Sequence, residues 1–169
     1  MQGMVVRIEI SGFENENVEK LTLKKEKSGL LSERNPDFDQ EGLERFVTAQ
    51  NGKRGDNTLY EQALKEIKAG KLGFECWVRY VYPQLRRSGT SQLTEFYGLK
   101  GREEAKAYIE HPILRERLIE AAKVLLDLDR PLHEIFSNLG VMKLRTCMLL
   151  FASISDEPIF KQVINKYHW

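Results

Sequence analysis

The spacing of apolar positions changes character once along this chain, and the change predicts its organisation. Near the start, Val6, Ile8 and Ile10 alternate with Val5, Arg7 and Glu9, and Leu21 and Leu23 alternate around Thr22. Residues 12–17 between them are mostly polar. Period-two alternation around a polar turn predicts a β-hairpin, with disorder as the alternative. Residues 24–36 hold few apolar side chains and read as a linker.

From Pro36 onward the period is helical. Asp37 and Asp39 can cap a helix whose apolar face is Leu43, Phe46 and Val47, and a loop over residues 51–56 ends it. Thr58 and Glu61 then form a capping box, in which each side chain satisfies an orphan backbone N–H. Behind it Tyr60, Ala63, Leu64 and Ile67 share a face, Lys65 and Lys68 approach the negative end of the dipole, and Gly70 suits the C-cap. Residues 74–82 mix a strand-like composition with a helical spacing of Phe74, Trp77, Val78 and Val81; a helix closed by Pro83 is expected, because no other strong strand lies nearby.

Further on, Ala105, Tyr108 and Ile109 mark a helix that His111-Pro112 breaks, since a residue before proline disfavours helical geometry. Pro112 opens the next helix, with Leu114, Leu118, Ala121, Leu125 and Leu128 as its stripe. Over 142–154, Leu144, Cys147, Met148, Phe151 and Ile154 form one face while Leu149, Leu150 and Ala152 cover the other sides, so a buried central helix is expected. A last helix starts near Pro158 and buries Ile159, Phe160, Val163, Ile164 and Tyr167. The expected fold is all-α. A single compact multi-helix domain occupies 37–169, after an N-terminal extension over 1–36 that is β-hairpin-like or disordered, and no strands pair within 38–167.

Composition narrows the function. A chain of 169 residues with 41% apolar content supports one core. Its net charge of +1, with 30% charged residues of both signs, argues against a protein held mainly by electrostatics to nucleic acid or to an acidic membrane. Between Lys53 and Arg87, eight Lys/Arg stand against four Asp/Glu, which reads as a solvated face rather than a phosphate-binding patch. Cys76 and Cys147 lie in apolar stretches, too few for a disulfide scaffold. His111, His133 and His168 do not join them at zinc-site spacing, so no metal or other cofactor is expected. The most apolar run, 142–154, is too short to span a membrane. No signal peptide opens the chain, and a cytoplasmic location follows.

Six separated blocks resemble a known family. They are Phe46-Val47-Thr48-Ala49-Gln50, Tyr60-Glu61-Gln62-Ala63-Leu64, Tyr82-Pro83-Gln84-Leu85, the stretch from Ala105 to Pro112, His133-Glu134-Ile135-Phe136, and Lys143-Leu144. Over roughly residues 38–167 the chain resembles a bacterial domain-of-unknown-function family, DUF1810, sometimes mislabelled calpastatin. The resemblance implies a mainly helical fold and no established activity. It also implies departures: a Ser-His-Trp-Met-Trp string in the family becomes Glu75-Cys76-Trp77-Val78-Arg79 here. An acidic pair becomes Gly140-Val141, and a Ser-Ser-Met-Thr-Leu-Phe string becomes the stretch from Thr146 to Phe151. A polar site built on those His, Asp and Ser positions would be largely lost from this chain.

Catalytic signatures are thin. No nucleophile elbow or phosphate loop occurs. Cys76, between Glu75 and Trp77, lacks a nearby cation to activate it and reads as a buried inert thiol; Cys147 reads as packing. His111 and His133 read as hydrogen-bonded structural histidines. Trp77, Tyr80 and Tyr82 read as core. One conflict stands out: Lys143 and Arg145 fall in the first turns of the expected 142–154 helix, where the dipole disfavours cations. They extend to solvent, or Lys143 with the helix amides holds an anion. Two function classes follow. The first is a non-catalytic binding or protein-interaction domain. The second is an enzyme or binder acting on a small anionic, phosphorylated or nucleotide-like ligand near Trp77, Gln84, His111 and Lys143. The partner is accordingly a protein or a small anion.

Overall fold

A computed structural model describes residues 4–8, 21–25 and 40–169. The predicted polar turn at 12–17, the rest of the linker and the capping residues Asp37 and Asp39 lie outside the described residues. In the extension, strand β1 (Met4–Ile8) pairs antiparallel with β2 (Leu21–Lys25), setting Val6 opposite Leu23. The alternation seen in the sequence thus coincides with a two-stranded ribbon.

Residues 40–169 are dominated by helix. The order is α1 (Gln40–Asn51), β3 (Lys53–Arg54), β4 (Asn57–Thr58), α2 (Leu59–Ala69), α3 (Val78–Val81) and α4 (Gln92–Tyr97). Then come α5 (Arg102–Glu110), α6 (Pro112–Asp127), a single 3₁₀ turn (Leu132–Glu134), α7 (Asn138–Ile154) and α8 (Pro158–Tyr167). The fold class is all-α, as the periodicity predicts.

Local chemistry explains the boundaries. At α2, Thr58 Oγ1 accepts from the Glu61 N–H at 3.1 Å while the Glu61 carboxylate accepts from the Thr58 N–H at 2.8 Å, and Gly70 caps the far end in the left-handed region. At α6, Pro112 takes the first turn and His111 Nδ1 accepts from the Leu114 N–H. The core is aromatic. Tyr80, Tyr82, Tyr97, Tyr108, Phe46, Phe96, Phe151 and Phe160 are fully buried, and Tyr108 lies edge-on to Phe46 with centroids 5.0 Å apart. Helix α7 runs through this core against α8, α5 and α3, and α8 returns along α6.

Four expectations need correction. Strands do pair within 38–167: β3 and β4 form a minimal antiparallel ribbon inside the predicted loop, and Leu85 bridges Leu99 in parallel. The helix expected over 74–82 shrinks to Val78–Val81, because Tyr82 must leave helical geometry ahead of Pro83. Helix α7 begins at Asn138 rather than 142, with Ser137 as its N-cap, which puts Lys143 in its second turn. Nor is α7 buried all round: Leu139, Met142 and Leu149 are 55%, 46% and 40% exposed. Among the described residues no helix is long and apolar enough to cross a membrane.

Candidate functional site

The chain between α3 and α4 is tied to the 96–100 turn by a backbone bridge. The Leu99 N–H donates to the Gln84 carbonyl at 2.9 Å, and the Arg86 N–H donates to the Leu99 carbonyl at 2.7 Å. Gly98 makes this approach possible. A Cβ there would stand 2.6 Å from Arg86 Cα, a backbone atom that cannot swing aside.

From the other side the 96–100 turn is held by a buried ion pair. Arg45 of α1 grips Glu104 of α5 in two bonds of 2.7 and 3.1 Å, the side chains being 8% and 0% exposed. The same guanidinium donates to the Phe96 carbonyl at 2.8 Å and the Gly98 carbonyl at 3.1 Å, and Glu104 accepts from the Lys100 N–H at 2.6 Å. Every one of these charges has a partner, which is the condition for burying them.

Between this turn, the segment 79–87 and the start of α7 lies a cleft of about 320 Å³. Gln84 and Lys143 both line it, with Arg79 and Arg87, the hydroxyl residues Thr90, Ser91 and Thr94, and Tyr97 and Gly98 of the turn. Its apolar part is Leu85, Leu139 and Met142. Among the described residues, none of those lining it is Asp, Glu, His or Cys. A second groove between α2 and α6 differs in this respect, since Glu61, Glu116 and Glu120 there face Lys65, Lys68 and Arg117.

The electrostatics of the cleft are unbalanced. Arg79 Nε is buried without a hydrogen-bond partner. Burial, and then the neighbouring Arg79, hold the Lys143 ammonium below the ordinary lysine range, against the opposite pull of Glu75 and Cys76. Cys76 therefore has a cation near it in space that its sequence neighbours did not reveal; it is a half-buried free thiol, while Cys147 is fully buried and burial pushes its thiol up.

The α7 N-terminus already holds an anion of its own. The Glu75 carboxylate accepts from the Ser137 N–H and hydroxyl, and Ser137 Oγ accepts from the Gly140 N–H at 3.0 Å. Gly140 leaves room for this arrangement, a Cβ there standing 2.8 Å from Glu75 Oε2. An internal carboxylate thus takes the place the sequence left open for a ligand at this helix start.

Of the four residues singled out by sequence, Gln84 and Lys143 share the cleft. Trp77 does not line it. It is 2% exposed, packed edge-on to Phe136 with centroids 6.1 Å apart and tilted against Tyr82, and its Nε1–H has no partner. His111 is buried at the α5–α6 junction as a helix cap and is not among the residues lining the cleft. Sequence reasoning missed Arg79 and the Arg45–Glu104 pair. Arg45 lies off the Leu43–Phe46–Val47 face by helical spacing, so no local pattern signalled it.

Fold and cleft together define an all-helical domain with a small, cation-lined surface site. The chain belongs to the family described as "Protein of unknown function (DUF1810)", whose model matches residues 40–169. It is similar to the crystal structure of the conserved hypothetical protein Rv1873 from Mycobacterium tuberculosis, with 35% sequence identity and a TM-score of 0.68, over 77% of this chain and 89% of that one. No curated protein matches the chain. Neither the family description nor that title states an activity.

Proposed function

We propose that this protein is a non-catalytic binding domain whose cleft takes a small anionic ligand. The observation that carries the reading is the pairing of Arg79 with Lys143 in a cleft lined, among the described residues, by no acid. Two like charges held together cost free energy that an anion between them would recover, most of all where burial weakens solvent screening. Gln84 adds a neutral amide for orientation, and its main chain is fixed by Leu99. The lining offers no nucleophile paired with a base, which favours binding over chemistry. Two free thiols fit a reducing, cytoplasmic setting.

A second reading, docking of a protein partner, is favoured by Leu139, Met142 and Leu149 exposed along one side of α7. Thermal melting of the whole chain against a phosphate and nucleotide panel separates the two. Anion binding raises the melting temperature by mass action in wild type, and less in Lys143→Ala and Arg79→Ala. No shift with any anion, or shifts in both variants as large as in wild type, overturns the anion reading and leaves the partner reading standing.

A further inference from the structure

The cleft is lined by cationic and by apolar side chains, and the two together define a ligand more narrowly than charge alone. Arg79 comes from α3, Arg87 from the loop beyond Pro83, and Lys143 from α7, so positive groups reach the cleft from three separate elements. Glu75 offsets part of this charge near Lys143 but is spent on the Ser137 cap. The hydroxyls can be accounted for one by one. Thr90 donates to the Arg87 carbonyl at 2.9 Å and Ser91 donates to Thr94 Oγ1 at 2.9 Å, which leaves the Thr94 proton for an incoming acceptor. Leu85, Leu139 and Met142, which line the same cleft, are 36%, 55% and 46% exposed.

Resting on the anion-site reading, we infer that the ligand is a small organic phosphomonoester, its phosphate between Arg79, Arg87 and Lys143 and a compact apolar or aromatic body against Leu85, Leu139 and Met142. A phosphomonoester carries about −1.5 to −2 charges at neutral pH and three acceptor oxygens. It answers three cations and a hydroxyl donor that line one cleft from different elements, whereas a carboxylate has one charge and two coplanar oxygens. Isolated exposed leucines need no explanation, but three apolar side chains grouped at a polar cleft do. The volume of about 320 Å³ stands at the low end of small-molecule pockets and limits the body to about one ring.

Isothermal titration of the full chain with phenyl phosphate, inorganic phosphate and benzoate tests this. Phenyl phosphate should bind at least about tenfold more tightly than either of the others, over inorganic phosphate because it buries a ring and over benzoate because it brings a greater charge and a third acceptor oxygen. Lys143→Ala should weaken phenyl phosphate and inorganic phosphate alike. Met142→Ala, at an exposed position where folding is not at risk, should weaken phenyl phosphate several-fold and leave inorganic phosphate unchanged. Benzoate binding as tightly as phenyl phosphate would overturn the phosphate assignment, and inorganic phosphate binding as tightly would overturn the apolar body. Tighter binding of a phosphotyrosine peptide than of phenyl phosphate would overturn the small-molecule assignment. If none of the anions binds, the anion-site reading fails, a result distinct from these three.

Discussion

Two arginines on either side of the 96–100 turn carry the same charge to opposite ends. Arg45 lies behind the turn, gripping Glu104 in two bonds and donating to two carbonyls of the turn itself. Arg79 lies in front of it, in a cleft with Lys143, its Nε unpartnered. The first arrangement is closed: each donor already has its acceptor, and its work is to hold a wall in place. The second is open, with positive charge gathered and not neutralised by the residues that line it. A buried cation is thus informative about binding only once its partners are counted.

The sharpest way to break this comparison is to open the closed side. Glu104→Ala leaves Arg45 buried without its acid, and the loss should be about 3–5 kcal/mol in urea unfolding. Because the turn is then released, anion binding in the cleft should weaken as well. A loss below about 1 kcal/mol would mean that Arg45 reaches solvent and that the two sides do not differ as described.

Glycine positions give the next, smaller effects. In Gly98→Ala the new methyl meets backbone at Arg86 Cα, so the turn must shift, at about 1–3 kcal/mol. In Gly140→Ala it meets only the end of the Glu75 side chain, which can withdraw at the expense of the Ser137 contacts. Its cost should be about 1 kcal/mol, the scale of a lost helix cap. Chemical unfolding of both variants should rank Gly98→Ala as the more damaging; the reverse order would show the Glu75 cap to be the stronger constraint on the site.

These pairs also show what the sequence could and could not reveal. The capping box of Thr58 and Glu61, the Pro112 start and the stripe of α6 are set by neighbours within one or two turns, and each is readable from spacing. Arg45 and Glu104 are 59 positions apart, as Glu75 and Ser137 are 62 apart, and no local pattern joins them. Helix α4 escaped because it is short: Leu93, Phe96 and Tyr97 do stand at i, i+3 and i+4 behind the Ser91 cap, but six residues are too few for a period to repeat. The exposed side of α7 was misread for a related reason: apolar content on every face signals burial only if neighbours cover every face. Lys143 and Gln84 were singled out separately, one from a helix-dipole conflict and both from family blocks. The cleft they share arises from the Leu85–Leu99 bridge, a contact between chain segments that periodicity does not encode.

The smallest effect concerns the open side in the absence of ligand, and its sign follows from Lys143. Burial and Arg79 lower the proton affinity of its ammonium in the folded state, while the unfolded chain keeps an ordinary lysine. Between the lowered value and the ordinary one, the unfolded state binds more protons, so this group makes stability rise with pH across that window. Below the window Lys143 is charged in both states and the full cost of holding it beside Arg79 is present. Lys143→Met removes that cost and keeps much of the apolar stem, so at neutral pH the variant should melt no lower than wild type, and slightly higher if the cost outweighs lost packing. As pH climbs through the window wild type sheds the proton and the cost together, and the gap between the two proteins should close. Following the difference in melting temperature, rather than either value alone, cancels the tyrosines and other lysines that titrate in both. A gap that widens with pH would mean that Glu75 dominates Lys143, and that the cleft is neutralised from within like the ion pair behind the turn.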